Sequence, residues 1–289
     1  MSRSLSHRLP RRLSMAPARS TPGFTIVEFL VAVGIGLVVS VLIGQIFVGS
    51  KQSFNSQDDL ARVQENMRFA SQVLTRTVRM AGYRTNSSVD PNTIFLKATT
   101  PAITGVNDTA VSGFVAGSDT LTLRYQGTGT GALVGNGTGQ GVGCSPSVSP
   151  CSADGAVVDC IGQAIDFGLM TTSTFAVRTV PGGASLSCSV DGGATWNELV
   201  SDVQDMQLLY GVDTDNDGSA NFYVPFNAVT DVDQIVSIRA WMLVRSPSLT
   251  AAVIDTKTYD LAGKSLGPYN DRYVRRVFYT TINLRNRTL

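Results

Sequence analysis

Histidine is almost absent from this chain, since His7 is the only one among 289 residues. A chain with one histidine, close to its N-terminus, is poorly equipped for a Ser-His-Asp or Cys-His nucleophile, an HExxH zinc site or a histidine proton relay. Glutamate is also scarce, with only Glu28, Glu65 and Glu198. These absences predict a protein that is not an enzyme.

Charged residues are few as well, at 16% of the chain against a usual share of about 25%. Residues 1–23 carry five arginines and no acid; subtracting these five from 23 basic residues leaves 18 basic against 22 acidic residues, a charge of −4 for residues 24–289. A mildly acidic body lacks the clustered lysine and arginine of a nucleic-acid surface, so no nucleic-acid partner is predicted. The abundant Gly, Ser and Thr favour an extracytoplasmic, β-rich protein.

The longest apolar run covers residues 24–49, where Glu28 and Gln45 are the only strongly polar residues. About 20 apolar residues span a bilayer as a helix. The upstream arginines favour a cytoplasmic N-terminus, which places the rest of the chain outside. A signal peptide is the alternative, but its apolar region is shorter and ends in a small-residue cleavage site. The run therefore predicts a single membrane anchor at residues 24–50.

A carboxylate inside this run is costly and marks a functional residue. The stretch Gly23-Phe24-Thr25-Ile26-Val27-Glu28 resembles the prepilin signature of type IV pilins and type II secretion pseudopilins. The resemblance implies that a membrane prepilin peptidase removes the basic leader, residues 1–23, by cutting after Gly23 and then methylates Phe24. It also implies that Glu28 neutralises the terminal amine of a neighbouring subunit. Met15 is an alternative start that would give a shorter basic leader.

The same segment carries small residues at intervals of four: Ala32, Gly36, Ser40 and Gly44. Such a face lets helices approach closely in a membrane. It is a candidate helix-packing face, with chance frequency of small residues as the alternative.

Residues 51–83 continue the helix with an amphipathic pattern. The apolar stripe consists of Leu60, Val63, Met67, Ala70, Leu74, Val78 and Ala81. The residues predicted on the other faces are Asp58, Asp59, Arg62, Glu65, Arg68, Arg76 and Arg79. Gly82 supplies a stop signal. The pattern predicts one helix over about residues 24–81.

Three stretches narrow the resemblance to a single family within this group. They are residues 61–70 with 79–83, residues 209–215, and residues 275–278 with 284–286. They are similar to the PilW minor pilins of type IV pilus assembly. This resemblance implies a structural subunit of the inner membrane, with a periplasmic C-terminal domain, that primes pilus assembly at the base or tip of the fibre. Its implied partners are other minor pilins, the major pilin and a tip adhesin. A J-type pseudopilin of type II secretion is the alternative, and a membrane-anchored metal-binding module a remote one.

Residues 84–289 read as an extracytoplasmic antiparallel β domain. The alternating runs that predict strands are 119–125, 174–180, 203–210, 234–245 and 273–284. One face of such a sheet can bury the helix stripe. The predicted fold class is α+β and pilin-like, with a long N-terminal helix packed on an antiparallel sheet.

Four cysteines, Cys144, Cys151, Cys160 and Cys188, all lie in this exported part. An even number outside the cytoplasm favours disulfides, and a zinc site is the alternative, although CxxC pairs are absent. Four cysteines allow three pairings. We prefer Cys144–Cys151, which closes a small loop, with Cys160–Cys188, which resembles a family pattern.

The stretch from Asp213 to Asn221 resembles the start of a calcium loop. Oxygens of Asp213, Asp215 and Asp217 stand at positions 1, 3 and 5 with Gly218 at position 6, a spacing that suits one hard cation. Position 12 is Val224 instead of Glu, and Asp231 or Asp233 could replace that ligand. The sequence requires no cofactor but predicts a possible calcium site at Asp213, Asp215, Asp217 and Asn221; a polar hairpin turn is the alternative.

Overall fold

The computed structural model describes residues 23–83, 101–127, 157–165, 170–251 and 253–286. By its contacts the chain divides into two compact units, Met1–Lys51 and Gln52–Leu289. The predicted residues Cys144 and Cys151, and most of the leader, lie outside the described residues.

One helix, α1, runs from Ile26 to Met80, within two residues of the predicted bounds. At its start the Glu28 N–H donates to the Thr25 hydroxyl, 3.3 Å away, so Thr25 satisfies one of the backbone donors that a helix N-terminus leaves open. At its end Gly82 adopts φ +77°, a left-handed conformation that glycine tolerates best. The Gly82 N–H then donates to Arg124 O at 2.9 Å, which ties the helix end to the β domain.

The apolar stripe of residues 52–80 is buried against the β domain, as predicted. Val63, Ala70, Leu74 and Val78 are almost completely covered, and they belong to one core cluster with side chains of both larger sheets. Leu60 and Met67 are half-buried. The same periodicity that makes the helix amphipathic therefore selects its packing face.

Asp59 corrects the predicted solvent face of this helix. It is buried, and its Oδ2 accepts a hydrogen bond of 2.6 Å from the Thr250 hydroxyl. A buried carboxylate needs such a donor, and this donor lies 191 residues away in the sequence, beyond the reach of local periodicity. Arg62 and Arg68, in contrast, form exposed ion pairs with Asp58 and Glu65, as expected for a solvated face.

The described strands form two antiparallel sheets and a small hairpin. The strands are β1 (Ile103–Thr109), β2 (Ser118–Gln126), β3 (Met170–Val180), β4 (Gly183–Ser189), β5 (Asn197–Ser201), β6 (Val203–Val212), β7 (Phe222–Val224), β8 (Ile235–Arg245), β9 (Tyr259–Leu261), β10 (Lys264–Leu266) and β11 (Arg275–Asn283). The first sheet has the order β1-β2-β3-β4-β5, the second the order β11-β8-β6-β7, and β9 pairs with β10. All pairs are antiparallel.

The fold class is therefore α+β as predicted, and each of the five predicted strands is present within four residues of its predicted bounds. The alternation in β8 also holds, with Ile238, Ala240 and Met242 in the core. The opposite face of β8 is more covered than an outer face usually is, because Ser237 and Leu243 are buried too.

Side chains of β2 join the two larger sheets. The Ser118 hydroxyl accepts from the Met206 N–H at 3.1 Å, and Asp119 accepts from the N–H groups of Asp108 and Leu208 at 3.0 and 2.8 Å. Burial raises the pKa of Asp119 to about 6, although its two backbone donors favour the charged form. The junction between the two sheets therefore depends on hydrogen bonds from backbone N–H groups, which a carboxylate is well suited to accept.

Candidate functional site

The residues of the predicted processing and assembly site lie at the start of α1. Gly23 and Phe24 precede the helix and Glu28 occupies its first turn. All three are exposed. Glu28 is thus a solitary carboxylate at the beginning of an otherwise apolar helical surface.

The first half of α1 is long and apolar enough to cross a membrane. None of its most apolar 18-residue stretch is buried by the protein. Such a surface is unfavourable in water and favourable in lipid.

The four small residues of the predicted packing face lie within this helical segment. A Cβ placed on Gly36 or Gly44 would meet no atom within 4 Å, and the Ser40 hydroxyl is satisfied by Gly36 O at 2.8 Å. The surface formed by Ala32, Gly36, Ser40 and Gly44 therefore carries little side-chain bulk. It needs no polar partner, because the Ser40 hydroxyl already has an acceptor. Its role in helix packing stays a prediction.

A disulfide joins Cys160 to Cys188, as the preferred pairing required. Cys188 lies in β4 and both cysteines are buried. The bond holds the segment 157–165 against the core, where the Asp159 carbonyl also accepts from Arg76 of α1 at 3.1 Å. The Tyr125 hydroxyl reaches Val158 O at 3.3 Å on the same segment. The disulfide therefore fastens this segment between the helix and the first sheet.

The predicted calcium residues are brought together in the turn between β6 and β7. One oxygen from each of Asp213, Asp215 and Asp217 lies within 4.8 Å of the others. Gly218 has φ +84°, the conformation that makes glycine useful at position 6. The geometry can gather carboxylate oxygens around one cation.

The same carboxylates also accept hydrogen bonds from the backbone of the turn. Asp213 accepts from the N–H groups of Asp217 and Gly218, at 3.3 and 2.8 Å. Burial opposes ionisation of Asp213, but these and neighbouring hydrogen bonds prevail and lower its pKa. Asn221 uses its Oδ1 to accept from the Thr214 N–H at 2.7 Å.

The suggested replacements for the ligand missing at position 12 do not lie in the acidic turn. Neither Asp231 nor Asp233 joins the group of converging oxygens among the described residues, and the Asp231 carboxylate accepts from the Asp233 N–H at 2.9 Å. Val224, at position 12, pairs with Tyr210 in the sheet. Any cation here would thus rely on the first half of the loop.

Calcium binding stays a prediction, and thermal melting of the full-length protein tests it. A site that binds only the folded state adds about 2.7 kcal/mol at a hundredfold excess over its dissociation constant, or about 5–10 °C for a domain of this size. Asp215→Asn, at an exposed position, should abolish the rise in melting temperature on adding calcium. An equal melting temperature of the wild-type chain in calcium and in chelator would reduce this segment to a hairpin turn.

Two features were not found as sites by sequence reasoning. Arg275, buried in β11, donates to Asp271 through two hydrogen bonds of 2.6 Å, to Asp255 at 3.0 Å and to Gln204 at 2.6 Å. Its guanidinium carbon also lies 3.9 Å from the centre of the Tyr269 ring. The resemblance pointed to Arg275 but gave no sign of its partners.

The second feature is the end of α1. The Asn286 side-chain amide donates to the carbonyls of Arg79, Met80 and Ala81 at 3.3, 3.4 and 3.1 Å. Helix C-termini leave carbonyls without intrahelical donors. The resemblance to the PilW family rested in part on residues 79–83 and 284–286, at opposite ends of the domain. These two stretches therefore meet in the fold.

Comparison with known proteins finds a family that part of this chain resembles. Residues 174–286 match the family described as type IV pilus-assembly protein W. A type IV-like pilin from Thermus thermophilus is similar in structure, with a TM-score of 0.40 and 12% identity over 78% of this chain and 98% of that one. No curated protein sequence matches significantly. The matched region runs from β3 to the helix-capping Asn286, and over these residues the chain is similar to that family, as its residues predicted.

Proposed function

We propose that this chain is a minor pilin that primes assembly of a type IV pilus and acts as a structural subunit. The observation that carries the proposal is Glu28, a carboxylate in the first turn of an exposed apolar helix. A carboxylate in lipid is expensive unless it meets a positive charge. The family match over residues 174–286 supports a pilus component in general.

In this proposal, cleavage after Gly23 exposes the amine of Phe24, which the prepilin peptidase then methylates. The Glu28 carboxylate pairs with the Phe24 amine of a neighbouring subunit, because each charge is costly alone and tolerable when paired. Gly36 and Gly44 have no side chains, so a neighbouring helix can approach closely at these positions. Membrane-embedded pairing thus supplies the assembly contact.

The proposed location follows from the same helix. The basic leader keeps the N-terminus in the cytoplasm, the first half of α1 crosses the inner membrane, and the β domain lies in the periplasm. The proposed partners are other minor pilins, the major pilin and a tip adhesin, with the subunit at the base or tip of the fibre.

Glu28→Ala tests the docking role. The variant should insert in the membrane and be cleaved to a methylated Phe24, since alanine only makes the helix more apolar, but cells should carry fewer surface pili. Pili are measured in the sheared fraction and the mature N-terminus by mass spectrometry. Gln45→Ala is the matched control, because it removes the other strongly polar side chain of the same helix and should leave piliation unchanged.

Normal piliation in Glu28→Ala would remove the docking role, and a mature N-terminus other than Phe24 would remove the prepilin assignment. Deletion of the gene separates the two family alternatives. Loss of pili with intact protein secretion supports the minor pilin, whereas loss of secretion with intact pili would assign the chain to the type II secretion pseudopilins.

A further inference from the structure

The outer face of the second sheet, away from the core, carries aromatic side chains and an arginine. Ile238 and Ala240 of β8 are buried in the core, and successive residues of a strand point to opposite faces. Arg239 and Trp241 therefore lie on the outer face. The register places Tyr279 of β11 opposite Trp241, and their ring centres are 4.9 Å apart. Tyr279 is 50% exposed, so this pair of rings borders the solvent.

The guanidinium of Arg239 lies on a third ring of the same face. Its central carbon is 3.5 Å from the centre of the Tyr223 ring of β7, and the Tyr223 hydroxyl accepts from the Ser237 hydroxyl at 3.0 Å. Gly211 of β6 leaves room for this ring, since a Cβ at that position would lie 2.9 Å from Tyr223 Cε1. We call the surface that these contacts and the register define the aromatic face; it consists of Tyr223, Arg239, Trp241 and Tyr279.

The cation of the aromatic face has no counter-ion within the described part of the chain. Arg239 takes part in none of the ion pairs there, and its Nε is buried without a hydrogen-bond acceptor. A guanidinium that is partly removed from water and lacks a carboxylate is stabilised by an external anion. The hydroxyls of Tyr279 and Thr281, 3.0 Å apart, hydrogen-bond to each other. One of their two hydrogens therefore remains free to donate to a ligand.

These groups suit a ligand that presents flat rings and carboxylates together. The negative face of an aromatic ring attracts the weakly positive C–H hydrogens of a pyranose sugar, and arginine binds a carboxylate through two parallel hydrogen bonds. Single-stranded nucleic acid also stacks on aromatic rings, but its phosphates require a row of cations, and Arg239 is the single cation of the aromatic face.

We propose that the aromatic face binds an acidic polysaccharide. Trp241 and Tyr279 stack on its sugar rings, Arg239 binds a ring carboxylate, and the hydroxyl pair of Tyr279 and Thr281 donates to a sugar oxygen. This binding goes beyond pilus assembly and draws on the proposed function only for the location of the β domain outside the cytoplasm. The purified protein shows or lacks the binding whether or not the chain primes pili.

The test titrates the full-length protein, in detergent micelles, with three polymers in a calorimeter. Alginate carries a carboxylate on every pyranose ring, dextran has neutral rings, and polyglutamate has carboxylates without rings. Alginate should bind at least tenfold more tightly than either of the others. The polyglutamate arm also measures any nonspecific attraction of a polyanion to the five arginines of residues 1–23.

Two variants assign the binding to the aromatic face. Arg239→Gln should weaken alginate binding at least tenfold and leave the weak dextran binding unchanged, because it removes only the carboxylate contact. Tyr279→Ala, at a position exposed enough to spare the fold, should weaken the binding of both polysaccharides. Arg276→Gln is the matched control, since Arg276 is exposed and pairs with the core residue Val244, on the opposite face of the sheet. It should change the affinity less than twofold.

The inference is overturned if alginate does not bind, or if it binds no more tightly than dextran or polyglutamate. Alginate binding that neither Arg239→Gln nor Tyr279→Ala weakens would also overturn it, because the site would then lie elsewhere. Tighter binding of oligothymidylate than of alginate would assign the aromatic face to nucleic acid instead.

Discussion

Replacing Arg275 with alanine is expected to lower the free energy of unfolding by about 3–5 kcal/mol, the usual cost of breaking a buried ion pair from one side. The Arg275 side chain is 1% exposed and its partner Asp255 7%. Its removal leaves the Asp255 carboxylate buried with the Tyr259 hydroxyl, 2.9 Å away, as its remaining side-chain donor among the described residues. It also frees Gln204, whose Oε1 accepts from Arg275 at 2.6 Å. Chemical denaturation measures the loss.

Arg276→Ala is the matched control for this experiment. Arg276 is the next residue of the same strand but is exposed, so its replacement should change the stability by less than about 0.5 kcal/mol. Equal stabilities of the two variants would show that the buried network is dispensable.

The network also predicts a dependence on pH. Hydrogen bonds from Arg275 hold the pKa of Asp271 below its ordinary value. Asp271 therefore binds its proton at a lower pH in the folded chain than in the unfolded one. The stabilisation by this pair is complete above the unfolded pKa, about 3.9, and is lost as the pH falls through the lower folded value. Arg275→Ala should remove that part of the acid-induced loss of stability.

Replacing both Cys160 and Cys188 with alanine should destabilise the protein by about 3–4 kcal/mol, because the bond closes a loop with a sequence separation of 28 and so restricts the unfolded chain. Alanine keeps the two buried positions apolar. The loss should appear as a lower midpoint in chemical denaturation, and reducing agent should have no further effect that is assignable to this bond.

Non-reducing peptide mapping checks the pairing independently. It should recover a peptide that contains Cys160 joined to Cys188. Free thiols at both positions, or Cys144 joined to Cys188, would contradict the structure, and an unchanged midpoint in the double variant would show that the crosslink adds no stability.

Periodicity predicted those elements in which one face is apolar over several turns or residues. The helix stripe and strands such as β8 belong to this group. The missed strands lack such a pattern: β4, Gly183–Ser189, is rich in small and polar residues. It lies between β3 and β5, and its neighbours bury it regardless of its composition. Strand propensity here follows from position in the sheet, which one sequence does not reveal.

The parts of the site that escaped prediction depend on long-range partners. Asp59 reads as a surface residue until Thr250 is placed beside it. Arg275 collects partners from residues 204, 255 and 271. The prepilin segment and the acidic turn, in contrast, are contiguous in sequence, so their residues could be named in advance. The chemistry of a contiguous motif can be inferred from the sequence, whereas the burial of a charge depends on contacts that the whole fold creates.

The contact between Asn286 and the end of α1 has a mechanical consequence. The side-chain amide of Asn286, just after β11, donates to three carbonyls at the helix end. At the same point the Gly82 N–H donates to the carbonyl of Arg124 in β2. Tension applied to α1 is therefore divided at once between β2, early in the domain, and β11, at its end. A pull on the helix is therefore transmitted to both sheets at the same point.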